Sequence, residues 1–290
     1  MIKRFNQFIN EDSKPKPLSG ELLKQYNWLV SYMKSPKYLE RLKKEFPSYD
    51  NKQLTKERDI RLKNVISLKD KVHIVGQNVL QGLVGFYVPK TNYGQDLQWG
   101  KWVDIDPSKN TGDFKKRGNL FLSTKYNPNK FKPSDGWEFI PTHEFSHGVD
   151  DCGIRIPKQT QDKIYQLTKP GINFKESRFG HWREKEGQKE FDYEQTPTEF
   201  IARMQAVRAL LDRLKLYDAT KDFTLQDWDK IITNPKVKED IAFQDIIKCL
   251  KGDNSKGVNC PIKKKNFIEL FNSIAQIDNT ELQDIYNTTG

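Results

Sequence analysis

Residues 137–151, WEFIPTHEFSHGVDD, decide how the rest of the chain is read. Within them His143-Glu144-Phe145-Ser146-His147 spells HExxH on a stretch whose spacing predicts a helix. Two imidazoles four residues apart lie one above the other on a helix face and can reach one Zn2+, while the glutamate between them is placed to hold the metal's water. His143 and His147 are therefore candidate metal ligands, and Glu144 is the candidate general base. The competing reading, a pair of helix-face histidines that cap or pack, needs no metal.

A catalytic zinc site requires a third protein ligand and one open position. His73 and His181 are candidates by residue type. The metzincin extension is absent, since Gly148-Val149-Asp150-Asp151-Cys152-Gly153 follows the second histidine. A carboxylate on a second helix is the other common solution, and Thr196-Pro197-Thr198-Glu199-Phe200 offers Glu199. The same residues also spell a capping box, with Thr196 as N-cap, Pro197 at N1 and Glu199 at N3, in which Glu199 reaches back to its own cap. Asp150 and Asp151 are placed to accept an outer imidazole N–H, or to end the helix as a solvated acidic pair. Cys152 reads as a small buried residue.

Outward from the motif, residues 72–89 are rich in Val, Ile and Phe and punctuated by Gly, which predicts two short strands or one with a bulge. Gly118–Tyr126 predicts another strand. Helical spacing marks Ser19–Phe46, broken near Ser35-Pro36, and residues 197–216, where Phe200, Ile201, Met204, Val207, Leu210, Leu211 and Leu214 form one stripe. Further helices are expected at 225–233, 236–250, 265–276 and 279–286. The class that follows is α+β, mostly helical, with a small sheet preceding the HExxH helix.

Composition sets the outer limits. The 290 residues are 36% hydrophobic and 30% charged, a balance that excludes fibrous and membrane-spanning classes. A chain of this length buries about three quarters of its unfolded surface, so no disulfide framework is needed, and Cys152, Cys249 and Cys260 form no CxxC pair. The N-terminus lacks the apolar centre of a secretory signal, and action inside a cell or particle is expected. The net charge of +10 attracts polyanions weakly, with basic groups such as Lys115-Lys116-Arg117 and Lys263-Lys264-Lys265 read chiefly as solubilising surface.

HEFSHGVDD at 143–151, followed by TPTEFIARMQAVRAL at 196–210, resembles the catalytic domains of anthrax lethal factor and related zinc metallopeptidases of the gluzincin type. The resemblance covers residues 137–210. It implies a zincin-like fold, one catalytic Zn2+ held by His143, His147 and Glu199, Glu144 as general base, and a protein or peptide substrate. The family tyrosine that donates to the reaction intermediate stands seven residues before the ligand glutamate; here Asp192 holds that position and Tyr193, one residue later, takes the role. Where the family has a glutamate one turn after the third ligand, this chain has Arg203. By analogy the strand at Gly118–Tyr126 is expected at a sheet edge, walling the substrate cleft, with the segment around Arg178, His181 and Trp182 also shaping it.

Residues 1–11, MIKRFNQFINE, are similar to the capsid-targeting leaders of T-even-type phage internal head proteins, with Ile9-Asn10-Glu11 fitting the prohead protease rule. The resemblance implies packaging in a phage head and delivery to the host cytoplasm, with non-specific DNA contact inside the head and no membrane. The expected organisation is a leader at 1–11, an N-terminal helical region at 12–65 and a metallopeptidase domain at 66–290. The rival reading is a non-catalytic, DNA-associated or structural phage head protein whose zinc site is structural or decayed.

Overall fold

The apolar spacing of Leu22, Tyr26, Leu29 and Met33, and again of Tyr38 and Leu42, becomes two helices in a computed structural model of the chain: α1 (Gly20–Lys34) and α2 (Pro36–Glu45). The structure describes residues 15–75, 85–87, 95–98, 101–104, 118–123, 139–149, 158–169 and 197–274. The leader 1–11, Asp150, Asp151, Cys152, Arg178, His181, Trp182, Asp192, Tyr193, Thr196, the basic group 115–117 and the helix expected at 279–286 lie outside these residues. Pro36 opens α2, and Ser35 caps it by accepting from the Tyr38 N–H at 3.3 Å.

A third helix, α3 (Asn51–Ile66), starts on a capping box between Asp50 and Gln53. Apolar periodicity does not reveal it, because its buried face mixes Leu54 and Val65 with Glu57 and Arg61, which pair at 2.8 Å out of water.

Five strands follow among the described residues: β1 (Val72–Val75), β2 (Gly85–Tyr87), β3 (Gln95–Gln98), β4 (Lys101–Asp104) and β5 (Leu120–Ser123). β1 runs parallel to β5 and β2 antiparallel to it, in the order β1-β5-β2, while β3 and β4 form a separate antiparallel pair. The strand expected at the cleft edge is thus central, with partners on both sides that occupy its backbone groups. Among the described strands of this sheet the edges are β1 and β2, and β2 packs directly on the motif helix.

The motif lies on α4 (Ile140–Val149), every residue of which is buried. Such a helix sits at the centre of a fold. It packs against α1, α3, β2, β5 and α6 (Pro197–Arg213), while α5 (Lys158–Leu167) precedes α6 in the chain. The N-terminal helices hold both ends of α4. Gln25 Oε1 on α1 accepts from the Thr142 N–H at 3.2 Å and from the Thr142 hydroxyl at 3.0 Å. That satisfies one of the helix's orphan donors, and Pro141 before it has no N–H to satisfy. At the other end Asn64 on α3 donates from Nδ2 to the Val149 carbonyl at 3.2 Å.

The C-terminal part comprises α7 (Leu225–Ile231), α8 (Pro235–Glu239), α9 (Ile241–Cys249), a 3-10 turn at Asn254–Asn259 and α10 (Pro261–Ser273). The helix expected at 236–250 is divided because the Asp240 carboxylate accepts from the Phe243 N–H at 2.8 Å and caps a new start. α10 begins earlier than expected, on Pro261. Lys263, read as solubilising surface, is 3% exposed. These helices cover the side of α6 that a single apolar stripe would leave in water, so Gln205 and Arg208 are buried as well. Arg208 donates to the Phe271 and Ile274 carbonyls at 2.6 Å each, capping α10. The architecture is mostly helical α+β, and its buried apolar residues from Leu18 to Ile274 form one cluster.

Candidate metal centre

Placing His143, Glu144 and His147 on a wholly buried helix is costly unless their polar atoms find partners. α6 crosses α4 and supplies one. Glu199 Oε2 lies 3.3 Å from His143 Nε2, Glu199 Oε1 lies 3.5 Å from His147 Nε2, and the two Nε2 atoms are 3.1 Å apart. One ligand atom from each residue falls within 4.8 Å of the others, and this is the one such trio of potential metal-binding side chains among the described residues.

The donor set fits zinc. At metal–ligand distances of about 2.0–2.1 Å, neighbouring corners of a tetrahedron lie about 3.3–3.4 Å apart. The 3.1 Å between the imidazole nitrogens and the 3.3 and 3.5 Å from each to its nearer Glu199 oxygen lie around that value, and one atom from each residue fits within 4.8 Å. Without a metal, both imidazoles can serve the carboxylate only by turning two N–H groups toward each other across the 3.1 Å between their Nε2 atoms. A dication satisfies all three. His147 Nδ1 is buried with no hydrogen-bond partner among the described residues; Asp150 and Asp151, the candidate acceptors for an outer imidazole N–H, lie outside them.

Charge states agree with that donor set. Burial alone would raise the Glu199 carboxyl, but His147, His143 and Arg203 hold it well below the ordinary carboxylate range, so it is ionised. Burial pushes the His147 imidazole down to about 4, with His143 and Arg203 adding to the drop and Glu199 opposing it. Glu144 behaves in the opposite way: burial drives its carboxyl well above the usual range, the Glu199 charge adds to the rise, and Arg203 counters it. Two carboxyls in one site are thus pushed in opposite directions, Glu199 toward the ionised form and Glu144 toward the protonated form.

Metal-free protein carries a pH signature of His147. The folded chain keeps this imidazole neutral down to about 4, whereas the unfolded chain protonates it near 6.5. Protons then favour the unfolded state, so stability falls as pH drops through that window, by about 3 kcal/mol at full extent. In chelator-treated samples, His147→Gln is expected to lack this contribution. Urea unfolding of both proteins between pH 7 and pH 4 should show wild type losing ground steadily to the variant; parallel curves would mean that His147 titrates normally in the fold.

Two further residues complete the site. Gly85 on β2 faces Glu144, and a Cβ at position 85 would stand 2.5 Å from Glu144 Cγ and 2.6 Å from Cδ and Oε1. The bare glycine lets the carboxyl lie flat against the strand. Arg203, one turn beyond Glu199, donates from Nη1 to Glu199 Oε2 at 3.0 Å and from Nε to Asp245 Oδ2 on α9 at 3.0 Å.

His73, a candidate third ligand from sequence, is elsewhere. Its Nε2 lies 3.2 Å from Asn119 Oδ1, and its ring stacks on Phe121 at 4.7 Å. A strand position on β1 fixes it to its neighbour strand, away from the trio. Of the other candidates, His143, Glu144, His147 and Glu199 are brought together, each 6–8% exposed, while Tyr193 and His181 lie outside the described residues. Compared with protein-family models, curated proteins and solved structures, the chain matches none. Among the described residues no helix is long and apolar enough to cross a membrane.

Proposed function

We propose that the protein is a zinc-dependent endopeptidase of zincin-like fold. The observation that carries this reading is the convergence of His143, His147 and Glu199, one ligand atom of each within 4.8 Å of the others, beside a buried glutamate that is not needed to hold the metal. A structural site would gain nothing from burying Glu144 there, since taking a carboxyl out of water costs stability. This favours the enzyme over a packaging protein with a structural or decayed site.

Zinc in such a site acts as a Lewis acid toward water and a substrate carbonyl. Glu144, its carboxyl raised well above the ordinary range by burial, accepts the proton of the attacking water and returns it to the leaving amine. His143, His147 and Glu199 hold the donor geometry, and Arg203 keeps the Glu199 carboxylate turned toward the imidazoles. Edge strand β2, beside Glu144, is the natural place for an extended peptide to add a strand. In that role it replaces the 118–126 strand.

The test is metal content combined with peptide digestion. Purified protein should carry one zinc per chain and cleave members of a random peptide library. Chelation should abolish cleavage and zinc should restore it. Full zinc occupancy with no cleavage of any peptide would favour the structural rival.

A further inference from the structure

Helix α6 brings two charged side chains into the core one turn apart, and only one of them belongs to the ligand trio. Arg203 is 8% exposed and its guanidinium spans two carboxylates, Glu199 on its own helix and Asp245 on α9. Beside a dication this arrangement is electrostatically contrary. A cation next to the metal's ligand opposes metal binding unless a negative charge offsets it. Asp245, with its side chain 22% exposed, supplies that charge.

The geometry also constrains Glu199. The oxygen that takes the Arg203 N–H is Oε2, the one facing His143, whereas Oε1 faces His147. With Oε2 tied to a guanidinium that is itself tied to α9, the carboxylate cannot swing about its terminal torsion, which is otherwise broad. α9 is thereby coupled to the metal centre without contributing a ligand.

We infer that Arg203 and Asp245 are a positioning pair that sets the metal affinity of the site, Arg203 by locking the Glu199 carboxylate and Asp245 by orienting Arg203 and cancelling its charge. The inference rests on the zinc reading above. Its consequence is non-additive. Asp245→Asn removes a compensating charge from a cation beside the metal, whereas removing Arg203 as well relieves the repulsion that the first change exposes.

The experiment is zinc competition against a chromophoric chelator for wild type, Asp245→Asn, Arg203→Met and the double variant, alongside Co2+ absorption spectra as a report of ligand geometry. Asp245→Asn should bind zinc about tenfold or more weakly, in the range that removing a ligand's supporting group costs. The double variant should bind more tightly than Asp245→Asn alone, by about threefold or more, a recovery that a purely structural role for Arg203 and Asp245 would not give. Arg203→Lys keeps the charge but cannot bridge both carboxylates; it should weaken zinc and alter the Co2+ spectrum, and it is the variant to read if Asp245→Asn does not fold. Affinity within twofold of wild type for Asp245→Asn, or for Arg203→Lys in its place, overturns the inference, as does a double variant weaker than the single. If His143→Ala binds zinc as wild type does, the metal site itself is wrong and both readings fall together.

Discussion

Glu144→Gln should leave zinc content unchanged and lower kcat/KM for peptide cleavage by about two to four orders of magnitude, the share that a positioned general base contributes. Glutamine has the same shape, so the contact with β2 at Gly85 survives, and none of the three metal-facing atoms belongs to residue 144. What is lost is a site able to hold a proton. In the wild type, burial and the Glu199 charge raise the carboxyl well above its ordinary range, which makes it a stronger base than a solvated carboxylate. The loss should therefore fall on kcat, with KM little changed. Full zinc occupancy and undiminished turnover in the variant would remove Glu144 from the chemistry.

Gly85→Ala should be nearly as damaging to activity and nearly harmless to the fold. No left-handed backbone conformation is required at Gly85, so strand β2 can accept alanine in conformational terms. The added methyl, however, would overlap the Glu144 side chain from Cγ to Oε1. One of them must move, and the carboxyl is the freer. A displacement of about 1 Å in a catalytic group costs on the order of a hundredfold in rate. Zinc content should stay at wild-type level, because His143, His147 and Glu199 do not touch residue 85 in the way Glu144 does. Comparing kcat, zinc content and thermal midpoint in one variant separates displacement of the base from general damage. Wild-type kcat in Gly85→Ala would mean that the carboxyl works from another position.

The motif helix was legible because its signal is local: two histidines and a glutamate at fixed spacing need no knowledge of the rest of the chain. Glu199 was half legible. Thr196, Pro197 and Glu199 read equally as a helix start, and only the packing of α6 on α4 sets the Glu199 carboxylate against both imidazoles. Arg203 stood out as a departure from the resembled pattern, yet its partner Asp245 did not. Asp245 lies within IAFQDIIK, where nothing but the orientation of α9 distinguishes it from a solvated residue.

Gln25 and Asn64 occupy polar positions on helices and look like surface; their role depends on where the ends of α4 fall. The strand at 118–126 was found, but its rank in the sheet was not. Strand order is a matter of pairing between distant segments, and short strands of similar composition carry no label for it.

The clamping of α4 by α1 and α3 bears on the order in which the molecule assembles. Gln25 meets Thr142 across 117 residues of chain, Asn64 meets Val149 across 85, and Trp28 bonds Asp212 at a separation of 184. Contacts so far apart in sequence form late, after the loop entropy of joining them has been overcome. A nascent chain on the ribosome therefore exposes the HExxH segment well before α6 and α9 exist to complete its surroundings. During synthesis the histidines wait for their carboxylate, and the trio exists only once α6 has been made and has packed on α4.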